Sequence, residues 1–314
     1  MPEEVSLRET YGQTLVELGR ENPDIVVLDA DLCPSTMTRY FMGAFPDRSF
    51  DCGIAEQNMV GIAAGLAASG KIPFASTFAV FVPGRCFDQI RMSVAQPKLN
   101  VKLVPTHSGI TVGEDGTSHQ AIEDLSLICA LPGFTVIVPA DAIETAQAVR
   151  AAAAQQGPFY IRLCRSKLPL VHGEDYRFNL GKAVTIRQGQ DATIIAIGVM
   201  VAEALEAAEA LKPEGVDCRV INMSTLKPID EAAIIKAAVE TGAVVTAEEH
   251  LEQGGLGSMV ARVLAQHRPV PMELVAIKDT YAKSGKPAEL LQRYGLTAEA
   301  IGQAVRAVVK RKPG

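Results

Sequence analysis

Residues 53–68 read Gly-Ile-Ala-Glu56-Gln-Asn-Met-Val-Gly-Ile-Ala-Ala-Gly-Leu-Ala-Ala, and residues 74–81 read Phe-Ala-Ser-Thr-Phe78-Ala-Val-Phe81. The first stretch opens a helix of small apolar residues over 57–68, and the second begins as a strand over 74–78. The same alternation extends in both directions. Apolar runs at 25–28, 101–104, 135–138 and 159–163 read as strands, with helical segments at 85–95, 119–129 and 142–153 between them. Strands that alternate with helices predict a parallel, doubly wound α/β sheet, whose strands are covered on both faces and therefore continuously apolar. Ahead of the first strand, Ser6 and Glu9 form a capping-box pair, Tyr11, Leu15 and Leu18 make a helical apolar stripe, and Asn22-Pro23 ends it.

Around 166–190 the texture becomes polar and broken, and a second alternating unit follows. Its expected strands are 192–197, 218–221, 243–246 and 272–275, and its expected helices 202–211, 231–240, 257–266 and 298–309. The expected organisation is therefore one α/β domain over 1–170, a linker over 171–190 and a smaller α/β domain over 191–314.

Bulk composition excludes several classes. With 48% apolar and 21% charged residues the 314-residue chain is neither disordered nor fibrous, and it is long enough for two domains. A net charge of −6 argues against a nucleic-acid surface. The basic Lys310-Arg311-Lys312 suits the end of the last helix. Six scattered cysteines, without a Cys-x-x-Cys pair, are neither a zinc spacing nor a secreted disulfide framework, and buried thiols in a reducing cytosol are expected. Met-Pro-Glu-Glu has no signal-peptide character, and the apolar segment 59–68 is too short to span a bilayer, so no membrane role is expected.

Three segments carry candidate chemistry. Glu56 is a carboxylate in an apolar helix start, which is unusual, although an acid there also suits the helix dipole. Phe78 and Phe81 fall at a strand's C-terminal end, where ligands bind in open α/β sheets and an aromatic ring can stack on a flat heterocycle. Spacing alone favours ordinary core packing for both. The third segment, Pro105-Thr-His107-Ser-Gly followed by Gly113-Glu-Asp115-Gly-Thr-Ser-His119, again follows a strand and holds two of the five histidines. His and Asp together can orient or polarise hydroxyls and carbonyls. Turn chemistry explains Asp115-Gly, and a helix N-terminal position explains His119.

Taken in order, these segments resemble the pyrimidine-binding domain of transketolases. The resemblance rests on Asp29-Ala-Asp-Leu-Cys-Pro-Ser35, Gly53-Ile-Ala-Glu56-Gln-Asn, Ser76-Thr-Phe78-x-x-Phe81, Arg91 and Gly113-Glu-Asp115-Gly-x-x-His119. The second half is similar to the family's C-terminal domain through Asn222-Met-Ser-Thr-Leu-Lys-Pro-Ile-Asp230 and Glu248-Glu-His-x-x-x-Gly-Gly-Leu-Gly-Ser258.

The resemblance implies thiamine diphosphate as cofactor, with catalytic Glu56 bonded to a pyrimidine nitrogen and Phe78, Phe81 and Leu32 packing that ring. The family's third aromatic position falls on Gly84. Arg8, Ser35 and Arg165 match positions that grip a sugar phosphate, for which the arginine fork is suited. His107 and His119 match histidines beside the reacting hydroxyls, and Asp115 matches a contact to a donor hydroxyl. Thr117-Ser118 replaces the commoner Pro-Thr, and Cys164 and Ser166-Lys167 are unusual neighbours of Arg165.

The Gly-Asp-Gly…Asn motif that holds the cofactor diphosphate and Mg²⁺ in the family is not found here. The expectation is therefore a split enzyme: an N-terminal transketolase subunit supplies that domain, and self-association gives α2β2. The implied reaction is transfer of a two-carbon ketol unit from a ketose phosphate to an aldose phosphate. Competing readings are the β subunit of a 2-oxo-acid dehydrogenase, a 1-deoxyxylulose-5-phosphate synthase and a non-catalytic paralogue. His107, Arg91 and the Gly-Glu-Asp-Gly-x-x-His run side with transketolase. In the second half, Gly254-Gly-Leu-Gly257 lacks the full dinucleotide fingerprint, and helix packing is the expectation there.

Overall fold

A computed structural model describes residues 4–312, so part of the Met-Pro-Glu-Glu terminus lies outside the described residues. Two mainly parallel sheets organise the chain. The first has seven strands in the order Thr225–Lys227, Thr135–Ile137, Phe159–Ile161, Lys102–Leu103, Ile72–Ser76, Ile25–Asp29 and Ser49–Asp51. Every pairing in it is parallel except that of Thr225–Lys227 with Thr135–Ile137. The second has five strands in the order Met272–Ile277, Val244–Leu251, Ala192–Ala196, Cys218–Asn222 and Val184–Arg187, with only the last pairing antiparallel. Strands Ile25–Asp29 and Ala192–Ala196 are buried along their whole length, as helices on both faces require. This is the doubly wound α/β class that the alternation predicts.

Three features go beyond the sequence pattern. Glu4–Ser6 pairs antiparallel with Lys167–Pro169 and clips the start of the first helix, Leu7–Glu21, to the end of the first sheet. Val184–Arg187, inside the stretch expected to be linker, forms the edge strand of the second sheet. Thr225–Lys227, from the second half of the chain, completes the first sheet and ties the two units together.

Two helices differ from expectation. The segment 85–95 is the end of a helix that starts earlier, Phe81–Gln89, kinks at Cys86 and continues as a π-helix over Ile90–Ala95. The helix expected over 119–129 is confined to Asp124–Cys129. The reason is hydrogen bonding: Ala121 O accepts from Gly109 N and Ile122 O from Leu251 N, so this backbone is committed to extended partners.

Helix Leu256–His267 resolves the Gly254-Gly-Leu-Gly257 run. The buried Glu248 carboxylate accepts from Leu256 N at 2.7 Å and Gly257 N at 2.8 Å, filling the N-terminus that a phosphate would need. A Cβ at Gly255 would overlap a Glu248 carboxylate oxygen, so glycine is required there by close approach. His172 and His250, for which the sequence offers no partners, are buried beside Glu144 and Asn222 and beside Glu248 respectively. All six cysteines are free thiols, and among the described residues no helix is long and apolar enough to cross a membrane.

Candidate active site

The winding of the first sheet fixes where a crevice opens. From Ile25–Asp29 the chain proceeds to the edge strand Ser49–Asp51, whereas from Ile72–Ser76 it proceeds the other way to Lys102–Leu103. The connections after these two adjacent strands part, and the crevice lies at their C-terminal ends. The loops that follow these strands hold Leu32 and Ser35, Glu56, Phe78 and Phe81, and His107.

Asp29 organises the first loop. It is fully buried and accepts from Leu32 N at 2.6 Å, Thr36 Oγ1 at 2.7 Å and Thr38 Oγ1 at 2.9 Å. Burial raises its pKa to about 6 against the opposing effect of these hydrogen bonds. The loop needs this anchor because Asp31 and Met37 adopt left-handed φ values of 61° and 68°. Its outer end is stapled by Arg8, whose Nη1 donates to Ser35 O at 2.6 Å while Nη2 donates to Arg165 O at 3.2 Å.

Glu56 is the first residue of helix Glu56–Ala68 and is only 5% exposed. The sequence suggests an apolar setting, but the structure supplies a cation. Arg85 Nη1 donates to Glu56 Oε1 at 2.7 Å, and the same guanidinium lies over the Phe81 ring with its carbon 3.8 Å from the centroid. Nothing in the sequence signals this pairing across 29 residues.

The aromatic group is continuous. Phe78 stacks on His107 at 3.9 Å between centroids and faces Phe81 at 5.8 Å, and the His119 ring meets Phe81 edge-on at 5.5 Å. His107 is buried with a left-handed φ of 59°, a strained geometry that places its ring on Phe78. Its Nδ1 bonds the Thr106 hydroxyl at 2.8 Å. Burial, aided by the nearby Arg8, Arg165 and His119, lowers its pKa to about 3, so it is a neutral imidazole at physiological pH.

Arg165 completes the cluster. Its Nη1 donates to Val112 O at 2.5 Å and sits 3.6 Å from Asp115 Oδ2. Arg8, Ser35, Arg165 and Asp115 thus form one polar chain, and Arg8 and Arg165 are both near enough to act on His107. Glu56, Phe78, Phe81, His107 and His119 form the adjoining aromatic chain through Arg85. Leu32 is half-buried on the neighbouring Asp29-anchored loop. Gly84 is exposed, and a Cβ there would meet nothing within 4 Å. Arg91 is exposed in the π-helical turn with its guanidinium on the Met92 sulfur.

Residues 3–171 match the family model for the transketolase pyrimidine-binding domain, and residues 181–301 match that for the transketolase C-terminal domain. A protein described as a putative transketolase C-terminal section, from Methanocaldococcus jannaschii, is 46% identical over 98% of this chain and 97% of its own length. A 6-deoxy-6-sulfo-D-fructose transketolase subunit from a Clostridium species (strain MSTE9) is 44% identical over 99% of this chain and 96% of its own length. Among solved structures, a split-gene transketolase in the form of an inactive β4 tetramer superposes with a TM-score of 0.93 at 53% identity, covering 98% of this chain and 100% of that one. On this agreement of sequence, domain order and fold, the chain belongs to the transketolase family, of which it carries the pyrimidine-binding and C-terminal domains.

Proposed function

We propose that this chain is the glutamate-bearing subunit of a two-chain transketolase that transfers a two-carbon ketol unit from a ketose phosphate to an aldose phosphate. The observation that carries the proposal is the Glu56–Arg85–Phe81 arrangement. A planar nitrogen cation already lies over the Phe81 ring and donates to Glu56. An aminopyrimidine offers the same two features, a flat face and a nitrogen edge, so the residues fit the pyrimidine end of thiamine diphosphate, on which transketolases depend. When bound, that cofactor supplies the carbon nucleophile for cleavage of the ketose.

The chain's own residues do the rest. Glu56 holds a pyrimidine nitrogen, Phe78 and Phe81 pack the ring, and Leu32 walls its side. His107 is neutral and acts through hydrogen bonds, orienting a substrate hydroxyl without changing charge. His119 and Asp115 meet further hydroxyls, and Arg8, Ser35 and Arg165 receive the terminal anion of the sugar. The 44%-identical relative named for a sulfonated fructose makes a sulfonate an alternative terminal anion to test.

A partner subunit holds the diphosphate and Mg²⁺. Support comes from Ile54, which is 77% exposed and lines the same hollow as Glu56 and Arg85, with Phe50, Ile62 and Met92 also uncovered elsewhere on the chain. Large apolar side chains left in water favour a covering partner. Covering them in a two-fold arrangement gives α2β2, with the site completed at the interface.

The test mixes the purified chain with a subunit carrying the Gly-Asp-Gly…Asn domain, thiamine diphosphate and Mg²⁺. Xylulose 5-phosphate plus ribose 5-phosphate should yield sedoheptulose 7-phosphate, with 6-deoxy-6-sulfofructose as a second donor. An assembled complex that transfers no ketol unit from either donor refutes the proposal.

A further inference from the structure

The loop that bears Asp115 and His119 is held on its outer side by the second domain. Strand Met272–Ile277 ends in a turn over 279–286, which leads into helix Pro287–Arg293. That turn packs along the whole 113–120 loop. Thr117 Oγ1 donates to Ala282 O at 2.5 Å, and Gln120 Nε2 donates to Lys283 O at 3.1 Å. Gly116, at φ 73°, lies so close to Ser284 that a Cβ would overlap its hydroxyl. Gly113, at φ 85°, rests against Gly285 O and Pro287. The turn is itself fixed, because Lys283 N donates to the Tyr294 hydroxyl at 3.0 Å and Ala282 is buried in the second core.

The first domain gives the two candidate side chains much less. Asp115 has Arg165 at 3.6 Å, and His119 has the Ser118 hydroxyl at 2.9 Å and the edge-on Phe81 ring. Gly116 and Thr117 follow Asp115 directly, and Thr117 and Gln120 bracket His119, so the contacts to 282–284 set where both side chains point. We propose that Thr117, through the carbonyl of Ala282, is a positioning residue for the sugar-hydroxyl contacts of Asp115 and His119, and that the second domain thereby takes part in donor recognition. The inference rests on the ketol-transfer reading for its kinetics, and on the geometry alone for the loop.

Thr117→Val removes the hydroxyl at nearly constant volume, and Thr117→Ser restores it. Thr117 is exposed, so both variants fold. In the complex with the partner subunit, loss of one hydrogen bond should raise KM for the ketose donor about fivefold to tenfold. Affinity for thiamine diphosphate should stay within about twofold, because Glu56 and Phe78 are not on this loop. Thr117→Ser should recover the wild-type KM. In the full chain alone, amide hydrogen exchange over 114–120 should accelerate in Thr117→Val and return in Thr117→Ser. Wild-type donor KM in Thr117→Val, or a loss that serine does not rescue, overturns the proposal. Should the wild-type complex transfer no ketol unit, the reading of the reaction fails separately, and unchanged exchange over 114–120 then overturns the positioning role by itself.

Discussion

Replacing Arg162 by methionine should be among the most damaging single changes in this fold. The guanidinium is 4% exposed and Asp124 1%, and the two are joined by Nε to Oδ2 at 2.8 Å and Nη2 to Oδ1 at 3.1 Å. Nη2 also reaches Ala121 O at 2.9 Å and Glu249 O at 3.2 Å, and Tyr160 donates to Asp124 at 2.8 Å. One arginine therefore joins the first sheet, the loop below His107 and the long strand of the second sheet. Methionine fills most of the volume but leaves Asp124 buried with a single neutral donor. Removing one partner of a buried ion pair costs about 3–5 kcal/mol. Ala121 O keeps its bond from Gly109 N, so that carbonyl adds little.

For 314 residues the unfolding entropy is roughly 0.66 kcal/mol/K, from about 2.1 cal/mol/K per residue, so a loss of ~4 kcal/mol lowers Tm by about 6 °C. Scanning calorimetry at pH 7 reads this directly. The companion variant Arg162→Met with Asp124→Leu removes the stranded charge. It should recover more than half of the loss and not all, because the Tyr160 hydroxyl and Glu249 carbonyl then lack a partner. A single-variant loss below about 2 °C, or a double variant as unstable as the summed singles, would refute the reasoning.

Glu56→Ala in the assembled enzyme should abolish ketol transfer while circular dichroism and partner association remain as in the wild type; near-normal turnover would remove Glu56 from the chemistry. Arg85→Ala should tighten thiamine diphosphate binding by the complex about fivefold in calorimetry, since a stacked, ion-paired guanidinium no longer competes for Phe81 and Glu56; equal or weaker binding would show that the arginine does not occupy the ring's place. Burial raises Glu249 from 4.5 to about 7, so the folded state binds its proton more tightly than the unfolded state, and the resulting loss of stability accumulates as pH rises from 4.5 to about 7 and is fully present above that. Glu249→Gln should accordingly be more stable relative to wild type at pH 8 than at pH 5, by roughly 2.5 kcal/mol for a rise from 4.5 to about 7, as read from denaturant midpoints; a pH-independent difference would refute it.

The strands and helices of both units were legible because their period is set by burial alone. Ile25–Asp29, Ala192–Ala196 and helices Ala142–Ala154 and Met200–Leu211 fall where the apolar pattern places them, within a residue or two. What was not legible is what long-range hydrogen bonds decide. The backbone at 121–122 has helical composition but is taken by Gly109, Leu251 and Arg162. Short edge strands such as Val184–Arg187 and Thr225–Lys227 have no run long enough to show a period. The same division holds in the crevice. Phe78, Phe81 and His107 could be picked out because they follow expected strands and Glu56 because it is a carboxylate opening an apolar helix, whereas Asp29, Arg85 and Thr106 support them through contacts that sequence distance does not encode.

The position of Glu56 has a consequence for the order in which the active enzyme forms. The carboxylate is buried although Ile54, two residues earlier, is 77% exposed, and its cover on the open side is the Arg85 side chain, itself 48% exposed. A half-exposed arginine on an ion pair is weakly held, since water screens the attraction. Its aromatic stack adds about 1 kcal/mol at such a site. Displacing Arg85 is therefore a small cost for a ligand that brings its own flat ring and nitrogen edge. Covering Ile54 and Ile62 with a partner surface, by contrast, removes large apolar groups from water, at about 25 cal/mol per Å². Exchange of the guanidinium for a pyrimidine ring is therefore close to neutral by itself, whereas a partner surface over Ile54 would add an apolar contribution of its own. On the two-chain reading proposed above, the chain by itself should hold thiamine diphosphate weakly, because the ring must displace Arg85 without the contacts a partner would add; tight calorimetric binding by the isolated chain would refute this.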